Sequence, residues 1–178
     1  MVVQIWRQNR GSVLGELAES LIIAIILAVL IRWLIFQPFF IPSGSMEPTL
    51  MTGDRIIVSK FSYWLNEPQR GDVIVFKYPR DPSRAFVKRV VATEGETIAL
   101  EENQLIINGQ PVPENYLPAD LTFPDFGPVT IPDDHLFVLG DNRNNSDDSR
   151  VWGFLDEDLI IGKAVAVYWP VSRIRLID

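Results

Sequence analysis

LIFQPFFIPSGSMEPTL, Leu34 to Leu50, is where this 178-residue chain changes character. Before it runs LAESLIIAIILAVLIRWLIF, Leu17 to Phe36, an apolar segment. As a helix rising ~1.5 Å per residue, such a segment is long enough for a hydrocarbon layer of roughly 30 Å. After Gln37 and Pro38 the sequence turns to short β-branched runs broken by Gly, Pro, Asn and Asp, the pattern of an all-β domain. The expected fold is mainly β, preceded by a single N-terminal transmembrane helix. Residues 1–16 read as a cytoplasmic segment, 17–36 as the transmembrane helix and 37–178 as an external β-rich domain.

The polar residues of the span, Glu19, Ser20 and Arg32, stand toward its ends, where long side chains reach the headgroups, and Trp33 suits an interfacial belt. A cleaved secretory leader competes with this reading, because the uninterrupted core Leu21 to Ile31 is of leader length. The Arg-Trp-Leu-Ile-Phe that follows offers no small-x-small cleavage site. A buried helix of a soluble fold would carry a polar stripe, and this one has none. Arg7 and Arg10 precede the span, so the positive-inside rule puts the N-terminus in the cytoplasm and everything after Phe36 outside.

A formal net charge of -7 argues against nucleic acid as a partner, since that binding relies on clustered Lys and Arg. Without cysteine there are no disulfides, thiolate metal sites or cysteine nucleophile. With His135 as the only histidine, a zinc site would need several carboxylates. No metal and no cofactor is expected.

Strands are expected over Arg55 to Lys60, Asp72 to Lys77, Ala85 to Ala92, Thr97 to Leu100, Gln104 to Asn108, His135 to Leu139 and Ile160 to Trp169. Asn108-Gly109 is a tight hairpin signal. Asn115 to Pro132, proline-rich and weakly periodic, reads as a surface excursion between better-formed strands.

Three stretches could carry chemistry. In SGSM, glycine permits a tight turn and the neighbouring Pro42 limits alternatives, which suits Ser45 to be an outward hydroxyl; a cap or turn serine has the same appearance. Such a hydroxyl needs a base. His135 with Asp133 or Asp134 could make a triad, but after PDD at the start of an apolar strand it reads as a turn or strand-edge residue. The other route is a lysine neutralised by burial. Lys60 and Lys77 close their strands and Lys163 follows a glycine, whereas Lys88 stands inside AFVKRVVA, on one face with Phe86 and Val90. An edge lysine guarding against aggregation is the alternative there. The third stretch is GDNRNNSDDSRVWGF, Gly140 to Phe154. Its calcium-loop register, begun at Asp141, fails: Arg143, Ser146 and Trp152 stand where an acid, a glycine and a glutamate are needed. What remains is a loop of short hydrogen-bonding groups suited to tying its own backbone and supporting a neighbour.

PSGSMEPTL, RGDVIVFKYP (Arg70 to Pro79), FVKRVVATEGE (Phe86 to Glu96) and GDNRNNSDDSR, in this order after one N-terminal span, resemble the motifs of type I signal peptidases. These are membrane-bound serine proteases that remove signal peptides from exported proteins. The resemblance implies an antiparallel β-sheet catalytic core with a reduced second β region, since the interval Ala92 to Gly140 is short. By position, Ser45 is similar to the nucleophile and Lys88 to the general base of a Ser-Lys dyad. Ser43 resembles the hydroxyl that joins the Ser45 N–H in the oxyanion hole, and Ser146 the serine that holds the lysine amine. Asp148 and Arg150 resemble a supporting ion pair, and Arg89 a structural or electrostatic position. Phe39 to Pro42 and Ser83 to Val87 flank the dyad as walls for an extended peptide, with Phe86 beside the lysine. Ile41, Met46, Leu50 and Val87 are candidates for shallow pockets that admit small residues before the cut. The implied partners are signal peptides of exported preproteins and the lipid bilayer, with the secretion translocon nearby. The implied location is the plasma or inner membrane with an external domain, or a thylakoid membrane with a lumenal one.

Overall fold

Runs of β-branched and aromatic residues form strands wherever alternate side chains can be buried. In the computed structural model, which describes residues 13–64 and 66–177, they do so at Phe36–Phe40 (β1), Arg55–Ser59 (β2), Val73–Tyr78 (β3), Asp81–Ala92 (β4), Thr97–Glu101 (β5) and Gln104–Ile107 (β6). Gln110–Val112 (β7), Phe126–Thr130 (β8), His135–Leu139 (β9), Leu155–Asp156 (β10), Ile160–Trp169 (β11) and Arg175–Leu176 (β12) complete the set. The helix Val13–Leu34 (α1) precedes β1, and the short helix Ser149–Trp152 (α2) lies between β9 and β10.

Two compact units divide between Ile35 and Phe36. In the first, the apolar side chains of α1 from Leu17 to Leu30 are exposed around the whole helix, and Ser20 Oγ donates to the Glu16 carbonyl at 2.9 Å. No helix within the described residues is long and apolar enough to cross a membrane; the side chains of α1 are described over 15–30. Arg7 and Arg10 of the expected cytoplasmic segment, and the side chains of Arg32 and Trp33, lie outside the described residues.

The second unit holds two antiparallel sheets. The larger runs β1-β2-β11-β3-β4-β9-β10 with β12 added to β11, and the smaller runs β7-β6-β5-β8. Pro38, Pro111 and Pro128 all fall in outermost strands, β1, β7 and β8, where a residue without an N–H removes no ladder bond from the sheet. This corrects the reading of 115–132 as an excursion alone. Gly127 and Pro128 break its pattern, yet Phe126–Thr130 pairs with β5, and Phe123 and Ile131 are buried beneath it. Asn108 and Gly109 take positive φ, 50° and 75°, and close the expected hairpin between β6 and β7.

The middle of the large sheet is buried on both faces. Val90 of β4, with Leu136 and Val138 of β9, packs with Ile74, Phe76 and Leu155. Val91 and Ala92 of β4, with Phe137 and Leu139 of β9, pack instead with Ile98, Leu100, Leu105 and Ile107 of the small sheet. A third cluster joins Ile41, Met46 and Leu50 to Ile56, Val58, Val73 and Val75. Phe137 is the main bridge between the sheets: it is fully buried, with its ring 5.4 Å from Phe126 and 6.2 Å from Phe154. Phe137→Ala is therefore expected to cost about 3–5 kcal/mol of stability. Thermal melting should fall by roughly 6–15 °C, and limited proteolysis should cut the small sheet first.

Candidate active site

The segment between β1 and β2 is rooted in the core at both ends of its turn. Ile41, Met46 and Leu50 are at most 2% exposed, the Ile41 N–H donates to the Asp54 carbonyl at 2.9 Å, and the Leu50 N–H donates to the Met46 carbonyl at 2.8 Å. Between these roots Pro42 and Ser43 stay exposed and Ser45 is half-buried, so the corner projects from a fixed base. The expectation of pocket-lining roles for Ile41, Met46 and Leu50 meets a physical obstacle here: enclosed among core side chains, they offer no surface to a ligand. Pro42, Phe86, Val87 and half-buried Phe39 remain accessible.

Lys88 lies in β4 opposite Ile74 and is 3% exposed. Its Nζ lies 2.9 Å from Ser45 Oγ and donates to the Val87 carbonyl at 2.9 Å, with the Phe86 ring centroid 5.4 Å away. Burial pushes the pKa of this amine down to about 8, against partial opposition from Asp148, Asp147 and Asp141. The other lysine with a nearby acid, Lys163, is ion-paired with Asp72. His135 turns its Nδ1 to the Asp133 carbonyl at 2.7 Å, the strand-edge arrangement expected of it.

The Gly140–Arg150 loop holds the serine corner from behind. Asn142 Nδ2 donates to the Gly44 carbonyl at 3.0 Å, and the Asn142 N–H donates to the Ser45 carbonyl at 3.1 Å. In a trans peptide the C=O and N–H point opposite ways, so the Ser45 N–H is turned away from Asn142. Gly140 allows the approach: a Cβ there would collide with Ser146 Oγ and the Ser45 carbonyl oxygen. Ser146 is thus brought beside the corner, but its buried hydroxyl has no hydrogen-bond partner among the described residues, the Lys88 amine included. Ser43 lies two positions before Ser45 on the exposed side of the turn.

Three ion pairs brace this loop. Arg150 holds Asp148 at 2.8 Å as expected, and Asp148 also accepts from the Gly140 N–H at 3.1 Å. Arg89 grips Asp141 with two bonds of 3.0 and 2.9 Å and lies 3.9 Å over the Tyr116 ring. Arg143 pairs with Glu114, which also accepts from the Tyr116 hydroxyl. Asn142, Glu114 and Tyr116 have no place in the sequence reading, and Asp141 enters it only as the start of a calcium-loop register that fails. An acid and an amide beside the loop glycine were the available signal, but their targets lie far away along the chain.

Residues 14–169 match the sequence family described as signal peptidase, peptidase S26. The chain is 44% identical over 173 residues to signal peptidase I of Leptolyngbya laminosa, covering 92% of this chain and 83% of that one. It is 35% identical over 179 residues to thylakoidal processing peptidase 1 of Arabidopsis thaliana, covering 95% of this chain and 52% of the relative. The crystal structure of a signal peptidase I from Enterococcus faecalis matches with a TM-score of 0.51 at 34% identity, over 55% of this chain and 97% of that chain.

The buried amine has a cost that can be measured. With a pKa of about 8 in the fold against 10.5 in the free side chain, the unfolded chain binds more protons than the native one between those values. Stability from this group therefore rises with pH across that window, by about 3 kcal/mol in total. Lys88→Met, which carries no such charge, should be more stable than the parent at pH 7, and the difference should shrink as pH is raised from 8 toward 10.5. Denaturant melts of the two proteins across that range check this.

Proposed function

The chain belongs to the signal peptidase family, peptidase S26, and on that premise we propose that it is a membrane-anchored serine endopeptidase that cleaves N-terminal signal peptides from exported preproteins after small residues. The observation that carries the mechanism is the dry Lys88 amine 2.9 Å from Ser45 Oγ. In its neutral form the amine accepts the hydroxyl proton as Ser45 attacks the scissile carbonyl, forming an acyl-enzyme, and the same proton then leaves with the new amine. Water, deprotonated by Lys88, hydrolyses the ester. The Ser45 N–H, turned outward by the Asn142 clamp, and the Ser43 hydroxyl are the oxyanion donors.

Supporting roles follow from the contacts. Arg89 and Arg150 each pair with a carboxylate, Asp141 and Asp148, whose field favours a charged lysine, and so give those acids a partner other than Lys88. The Ser146 hydroxyl, buried and without a hydrogen-bond partner among the described residues, is the acceptor for a further amine hydrogen when Lys88 is protonated. An extended substrate adds as a strand between the corner and β4, against Phe39, Pro42, Phe86 and Val87. Ile41, Met46 and Leu50 set the depth of this wall from within the core.

Anchoring rests on α1, whose exposed apolar side chains leave no polar face for water, and on its direct continuity with β1. The N-terminus is then cytoplasmic and the β unit external, or lumenal in a thylakoid membrane; relatives include both bacterial and thylakoidal peptidases.

Cleavage of a labelled preprotein in detergent tests the reading. The parent and His135→Ala should cut; Ser45→Ala should not. Lys88→Arg, which cannot shed its proton, should also be inactive, and turnover by it would exclude general-base catalysis by this residue. Activity should fall as pH drops through about 8, as Lys88 becomes charged. Ser43→Ala should retain activity lowered about 100-fold in kcat.

A further inference from the structure

β4 is paired with β3 from Ala85 to Arg89 and again at Asp81, after a register shift that leaves Pro82–Arg84 out of the ladder, but β9 joins its other side only from Arg89 onward, so on that side the stretch from Asp81 to Lys88 has no strand partner. One cation stands on this opening on the same side as the catalytic amine. Arg84 is exposed, its Cζ 5.1 Å from the Phe86 ring centroid and 5.6 Å from that of Tyr78, while Lys88 Nζ approaches the same Phe86 ring from 5.4 Å. The two rings stack on each other at 4.3 Å, and Tyr78 is buried, so the platform under Arg84 is fixed.

Arg84 takes part in no ion pair among the described residues. Asp81, the acid whose carboxyl feels its field, has its pKa lowered first by the Ser83 hydroxyl and N–H, at 2.6 and 3.2 Å, and only last by Arg84. The guanidinium thus keeps its five donors for a visitor, held in place by aromatic faces instead of by an acid. Arg80, the neighbouring cation at the β3–β4 turn, is committed to the Val151 carbonyl at 2.8 Å.

We propose that Arg84 is a specificity residue that reads an acidic side chain of the substrate, three to five residues from the scissile bond, on the flank that runs beside Ala85–Val87. This rests on the peptidase reading above. The spacing follows from strand geometry: Ala85 to Lys88 is in regular register with β3 and Arg84 directly adjoins it at the register shift, so Arg84 is four residues from Lys88, roughly 13 Å along an extended chain, and a peptide strand beside Ala85–Val87 advances at the same rate. A carboxylate at that distance meets a planar fork suited to bidentate pairing.

The test is a set of peptides sharing one cleavage site, each carrying Asp or its isostere Asn at a single position from five before the cut to five after. Cleavage is followed in non-ionic detergent without phospholipid. Because Asp and Asn peptides are compared within one enzyme, any general loss of activity in a variant cancels. The parent should favour Asp over Asn in kcat/KM by about two- to fivefold at one position three to five residues from the cut. That preference should fade at high salt, vanish in Arg84→Gln and turn against Asp in Arg84→Glu. A preference that is absent in the parent, or that survives unchanged in both variants, overturns the proposal. Failure to cleave any peptide of the set would count against the peptidase reading itself, so the two failures are distinct.

Discussion

Keeping an amine dry within reach of a hydroxyl is the constraint on which the rest of this structure depends. Water would hold Lys88 protonated, and so would a free carboxylate beside it. The fold excludes the first by setting Lys88 in β4, between the serine corner and the Phe86 ring. It limits the second by engaging the two buried acids nearby elsewhere: Asp141 with Arg89 and Asp148 with Arg150. The ion pairs around the site are therefore less a source of stability than a way of giving nearby carboxylates a partner other than the lysine; the opposition that remains leaves the amine's pKa lowered, because burial outweighs it.

The same strand does several tasks because its two faces and two edges differ. On one face Val90 joins the cluster around Phe76, and on the other Val91 and Ala92 meet the small sheet. One edge is bonded to β3 up to Arg89, with a register shift near its start, while the other is bonded to β9 only beyond Lys88. Lys88 thus sits where a strand passes from fully enclosed to half open. Moving it two residues toward Val90 would bury it beyond reach of a peptide; moving it two toward Phe86 would expose it.

Much of this was readable from residue order. The corner at Ser45 could be seen because Pro42 and Gly44 leave few conformations, and Lys88 because a lysine between apolar neighbours on both sides asks for a reason. Helix α1 follows from the apolar run Leu21 to Ile31, strand β9 from LFVL after His135, and strand β11 from β-branched and aromatic residues around Gly162 and Lys163. What could not be read depended on long-range partners. Nothing local tells that Arg89 meets Asp141, or that Asn142 reaches back to Gly44. Strand β8 was hidden because Gly127 and Pro128 are turn signals, and only a place at a sheet edge makes them compatible with pairing. Ile41, Met46 and Leu50 were ambiguous for another reason: an apolar residue beside a nucleophile can line a pocket or root the turn, and burial decides which.

The prolines at the sheet margins have one more effect. A stray peptide, or a second copy of the chain, meets Pro38, Pro111 and Pro128 on three borders and only two-residue stubs at β10 and β12. None of these is a hospitable template for a long visiting strand. The molecule thus turns unwanted guests away at its periphery while leaving one berth without a neighbouring strand, the stretch of β4 that leads to Lys88.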